Sequence, residues 1–152
     1  MFDILAYLFE QYYHTDGYPD QHTLAKRLAA AGFDGPDIDE ALDWLDALSK
    51  LDAGRYQQLQ HIPATERHLH PLEAARLTPE AHAFLHYLSH SGGFNAAQLE
   101  LVLDRIMQLD THSVDLEQMK VAVLMVLWRQ GDDLANLLIE ELLYAGDDAP
   151  MH

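Results

Sequence analysis

Apolar residues return at three- and four-residue intervals along most of the chain, a spacing that paints one side of an α-helix. Phe2, Leu5, Phe9 and Tyr12, with Leu8 beside them, predict a first helix that Gly17 and Pro19 close. Asp20 stands where an N-cap carboxylate would accept from the first free amides of a second helix, with Leu24, Leu28 and Ala31 as its buried edge. Gly32 follows at the place of a left-handed C-terminal residue. Pro36 suits the first turn of a third helix, marked by Ile38, Ala41, Leu42, Leu45 and Leu48. Three helices thus fill residues 1–51.

The pattern breaks over residues 52–77, where Gly54, Pro63 and Pro71 interrupt short alternating pieces at 56–62 and 67–70. This stretch is expected to be an irregular connection with room for a small two-stranded hairpin. Helical spacing resumes at Thr78-Pro79-Glu80, which combines a capping hydroxyl, proline at the first helical position and an acid in the first turn. Phe84, Leu85 and Leu88 continue that helix and Gly92-Gly93 ends it. Asn95 with Gln98, and Asp115 with Gln118, have the spacing of capping boxes. They open helices carrying Leu99, Val102, Leu103 and Ile106, and then Met119 to Trp128. A last helix holds Leu134, Leu137, Leu138, Leu142 and Leu143 and ends near Gly146. Residues 121–128 are apolar on every side, so that helix is either wrapped by the others or sealed by a partner. The expected fold is all-α, about seven helices. A three-helix lobe with a helix-turn-helix outline (1–51) packs on a four-helix lobe (78–152), with 52–77 as the connection.

Composition narrows the picture. Among 152 residues, 49% are apolar and 22% charged, a globular mixture and not a disordered one. The absence of cysteine removes disulfides, thiolate-bound metals, iron–sulfur clusters and thiol catalysis. The longest apolar run has eight residues, against the roughly 20 that a spanning helix needs. Asp3 sits where a secretory signal would be basic, so the expected location is the cytoplasm, with no membrane association. Nine Lys and Arg face 25 Asp and Glu, a formal net charge of −16 that repels phosphate backbones and anionic lipid.

Several strings together resemble one known family. They are Phe2-Asp3-Ile4-Leu5-Ala6-Tyr7-Leu8-Phe9-Glu10, Gly32-Phe33, Asp37-Ile38 and Ala41-Leu42-Asp43-Trp44-Leu45. Further along come Arg67, Glu73, Arg76-Leu77, Phe84-Leu85 with Leu88, Lys120, Val123-Leu124-Met125-Val126-Leu127 and Glu140-Glu141-Leu142-Leu143. The chain is similar nearly end to end to the Smg family of small bacterial proteins. The resemblance implies a cytoplasmic, largely helical protein whose molecular function is not established. It also implies genes that often neighbour those for DNA processing, which is association and not mechanism. It assigns no catalytic or binding residue, and the histidines of this chain stand outside the family's pattern.

Candidate chemistry is sparse. In a winged helix-turn-helix the 38–48 helix would enter the major groove, but its solvent side carries Asp37, Asp39, Glu40, Asp43 and Asp46. A nucleic-acid-associated factor would have to reach DNA through Lys26, Arg27 and a wing residue such as Arg55, and is the alternative reading. Asp39, Asp43 and Asp46 lie at i, i+4 and i+7, so they share one helical face. Such a row suits a partner protein with a basic surface, or simply a solvated face. His82, His86 and His90 also stack at four-residue spacing, with His68 and His70 upstream. His82 and His86 are the best metal candidates, yet no Glu lies between them to act as a base, and no bound metal or other cofactor is expected. No G-x-S-x-G, phosphate loop or dinucleotide fingerprint occurs. Asp132-Asp133 and Asp147-Asp148 lack the alternating ligands of a calcium loop. The sequence therefore points to a non-catalytic interaction or regulatory module, with its oligomeric state open.

Overall fold

The structure is a computed structural model that describes residues 1–12, 19–52, 62–66, 68–90, 94–109 and 113–129. The chain divides into two units, Met1–Lys50 and Leu51–His152. Every regular element among the described residues is helical, which makes the fold all-α.

The first unit holds α1 (Phe2–Tyr12), α2 (Gln21–Ala30) and most of α3 (Gly35–Asp52). Helix α1 buries Ile4, Leu5, Leu8 and Phe9. Its apolar stripe is turned slightly from the expected one, leaving Phe2 and Tyr12 half-buried at the edge. Asp20 caps α2 by accepting the Thr23 amide at 2.8 Å. The helix ends in a paired C-terminal motif, with the Gly32 amide donating to Ala29 O (3.1 Å) and the Phe33 amide to Leu28 O (3.2 Å). That closure needs Gly32 at φ +102°, a conformation costly for any side chain even though a Cβ there would meet nothing. Ala31, expected on the buried edge, is the C-cap of α2 and is exposed, because the helix has already ended. Helix α3 buries Ile38, Ala41, Leu42, Trp44, Leu45 and Leu48. Tyr7 packs edge-on to Phe33, ring centroids 5.4 Å apart.

The second unit departs from expectation at its start. Residues 62–77, read as irregular, contain a 3-10 turn at Ala64–Glu66 and a short helix α4 (Pro71–Ala75). His70 caps α4: its Nδ1 accepts the Leu72 amide at 3.1 Å while the Glu73 carboxylate accepts the His70 amide at 2.8 Å. Histidine is an uncommon cap, so sequence pattern gave no warning. Of the suggested hairpin, the 56–61 part and Arg67 lie outside the described residues. Among the described ones the β-type pairings are isolated bridges, Pro63 with Asn95 and Leu77 with Val114.

Helices α5 (Pro79–Ser89), α6 (Ala96–Met107) and α7 (Leu116–Arg129) follow. Thr78 Oγ1 accepts the Ala81 amide at 3.2 Å. Asn95 and Gln98 form a reciprocal capping box with bonds of 2.8 and 2.9 Å. Asp115 and Gln118 repeat it at 3.1 and 2.9 Å. The starts of α5 and α7 are tied together, since Val114 donates to Arg76 O (2.7 Å) and Thr78 donates to Val114 O (3.0 Å). Helix α7 packs on both α5 and α6. From Ala122 to Leu127 its side chains are wholly excluded from water, as a wrapped central helix requires. Leu99, Val102, Leu103 and Ile106 of α6 are buried, and so are Gln98 and Arg105, whose burial the sequence did not announce. Arg105 pairs with Asp104 at 3.0 Å. The expected final helix beyond residue 130, Arg55, Gly92-Gly93 and the Asp132-Asp133 and Asp147-Asp148 pairs lie outside the described residues.

Candidate functional site

Two clusters stand out, one in each unit. On α3 the expected acidic row is present and open to solvent: Asp39, Asp43 and Asp46 are all exposed, as are Asp37 and Glu40. Their helix buries its opposite side through Ala41, Leu45 and Leu48, which fixes the row outward. Asp46 takes Lys50 as an i,i+4 partner at 3.0 Å, with side chains 51% and 78% exposed. A pair that wet contributes at most about 1 kcal/mol and leaves the face strongly anionic. On α2, Lys26 and Arg27 are exposed, but Arg27 donates to the Tyr12 hydroxyl at 2.7 Å and is tied to α1. A groove of about 280 Å³ runs there, lined by Tyr7, Tyr12 and Arg27 among others.

In the second unit, His82, His86 and His90 of α5 converge with His68 on a cleft of about 390 Å³, floored by Leu85 and Leu99. The side chains are exposed, because four-residue spacing places them on one side of α5 while Ala81, Leu85 and Leu88 turn inward. The rings of His86 and His90 lie 4.1 Å apart, tilted by 33°. His90 Nδ1 meets the His86 carbonyl at 2.9 Å. A carbonyl can only accept, so that nitrogen carries the proton and Nε2 of the neutral ring keeps its lone pair. His70, grouped with these residues by sequence, is spent on capping α4.

The cleft has no acid–base–nucleophile arrangement among the described residues. Ser89 Oγ, one of the hydroxyls that line it, already donates to Leu85 O at 2.9 Å. No carboxylate of a described residue lines it to orient a histidine. Nor is any set of three or more His, Asp or Glu among the described residues disposed to hold a metal ion. Sequence reasoning set His68 and His70 beside the α5 row without telling them apart, since which of them reaches it depends on the path of the chain into α4. It also missed Leu72 and Tyr87, large apolar side chains that are exposed.

The fold and these clusters define an all-α protein with an acidic helical face in one unit and a histidine-lined cleft in the other. No described helix is long and apolar enough to cross a membrane. The chain belongs to the DUF494 family, a family described as protein of unknown function, whose model matches residues 1–152. Curated relatives carry the name Protein Smg homolog, as the sequence resemblance implied. The one from Bordetella pertussis is 42% identical over 144 residues, 94% of each chain. That from Azoarcus is 38% identical over 148 residues, covering 97% of this chain and 96% of the relative. That from Nitrosomonas eutropha is 37% identical over 152 residues, the full length of both. No solved structure matches the chain.

Proposed function

We propose that the protein is a non-catalytic interaction module of the cytoplasm, docking through Asp39, Asp43 and Asp46 on a partner protein with a basic surface. The observation that carries this reading is the exposed carboxylate row on α3, neutralised among the described residues only at Asp46 by Lys50. The partner supplies cations to a face that is mostly carboxylate, and the −16 net charge steers it in from a distance. The same field argues against duplex DNA, which carries a phosphate charge every ~1.7 Å of its axis.

The test is affinity capture from the native bacterium, followed by reconstitution with the purified partner, using the parent chain and an Asp39→Asn, Asp43→Asn, Asp46→Asn variant. The reading expects a basic partner whose affinity drops about tenfold or more in the variant, and whose retention weakens as salt shortens the Debye length from about 10 to 3 Å. Equal retention by the triple variant overturns it. So does tight, salt-sensitive binding of the parent chain to duplex DNA.

A further inference from the structure

We propose that the groove between α1 and α2 binds a small monocarboxylic acid with an apolar body, its carboxylate held by Arg27. Among the described residues Arg27 has one hydrogen-bond partner, the Tyr12 hydroxyl at 2.7 Å, and no carboxylate, in a chain with 25 Asp and Glu. The last carbonyls of its own helix are already served by the amides of Ala31, Gly32 and Phe33, so the guanidinium is not turned back onto them. The bond to Tyr12 instead carries it across to α1, where it lines a groove of about 280 Å³. The floor of that groove is apolar, since Leu8, Leu24 and Leu28 are all buried. Tyr7 walls it, with its ring held edge-on by Phe33. No carboxylate of a described residue lines the groove to neutralise the cation.

Fork geometry, size and charge select the class. Tyr12 takes Nη1, which leaves the Nη2–Nε edge of the guanidinium for two parallel bonds to a carboxylate. With about 30 Å³ for each water-sized group, the groove has room for about nine heavy atoms, the size of one aromatic ring and its carboxylate. The −16 net charge opposes phosphates and polycarboxylates more steeply than a single carboxylate in contact with its cation, since salt screens distant charges beyond about 8 Å. A peptide main chain would look for a sheet edge to pair with, and every regular element described in this unit is helical. The ligand is therefore a free acid, apolar on one side and charged on the other.

Benzoate, titrated into the isotope-labelled full-length chain, is expected to bind with a Kd in about the millimolar range, shifting first the amides of Leu8, Gln11, Leu24 and Arg27. Benzamide has nearly the same shape without the charge, and should bind the parent chain about fivefold more weakly or worse. Arg27→Gln should lose benzoate to the same degree, whereas Lys50→Gln, which removes a cation already paired with Asp46, should change nothing. Tyr12→Phe, which releases the guanidinium from α1, should weaken benzoate severalfold and leave benzamide as it was. Arg27 is exposed, so its variant is expected to keep the parent's helical circular dichroism, and the benzamide comparison needs no variant at all. Shifts centred elsewhere, benzamide bound as tightly as benzoate, or an Arg27→Gln variant that titrates like the parent overturns the proposal. So does tighter binding of an N-acetylated dipeptide ending in leucine, which would assign the groove to chain termini.

Discussion

Asp20 does two jobs with one carboxylate. It accepts the Thr23 amide as the cap of α2, and its carboxyl is held below the ordinary value of 3.8, chiefly by the Thr23 side chain and then by that amide. A carboxylate whose folded pKa is depressed stabilises the fold above the unfolded value, and this contribution disappears as pH falls through the lowered one. The thermal stability of the parent chain should therefore exceed that of Asp20→Ala at pH 7, and the gap should narrow below about pH 4. A gap that ignores pH would contradict the assignment. At this scale, caps written in common chemistry were legible: Asp20, Thr78, Asn95 with Gln98, and Asp115 with Gln118 all bond as their spacing predicts. His70 was not legible, because its capping nitrogen is one of two on a ring better known as a base or a ligand.

Elements were readable where one side of a helix meets water. Periodicity located α1, α2, α3 and α5 because their polar residues mark the outer face. It blurred α6, whose amphipathic spacing understates how fully it is enclosed: Leu101 and Arg105 are buried beside the expected leucines. It missed α4, since a five-residue helix is too short to show a period. Arg76, directly after α4, reaches across to the end of α6 and donates to Leu109 O at 3.0 Å and, more weakly, Met107 O at 3.5 Å. Both lie at or just past the C-terminal end of α6, where helix carbonyls run out of intrahelical donors. Replacing the guanidinium by the apolar chain of Arg76→Met should cost about 1–3 kcal/mol, read as a lower urea midpoint with an unchanged slope. An unaltered midpoint would mean that water serves α6 equally well.

For the molecule as a whole, charge dominates. Ten histidines, fully protonated, would bring the formal charge from −16 to −6. Self-repulsion, and with it solubility, should decline between about pH 7.5 and 5.5 as that charge is lost. A flat solubility curve over that interval would show that charge is not what keeps the chain dispersed. The acidic row on α3 could be read directly from spacing, whereas the histidine cleft could not. Its His68 comes from a segment without periodicity, and only the path of the chain brings it beside α5.

The wrapped helix of the second unit comes after the two helices it packs on in the order of translation. The leucines of α5 and α6 leave the ribosome before α7, the segment that shields them, has been translated. Until residue 127 emerges, the apolar surface that α7 covers on α5 and α6 lacks that cover, which is where chaperones and misassembly compete with folding. The first unit has no such wait: its three helices are translated before any of this begins.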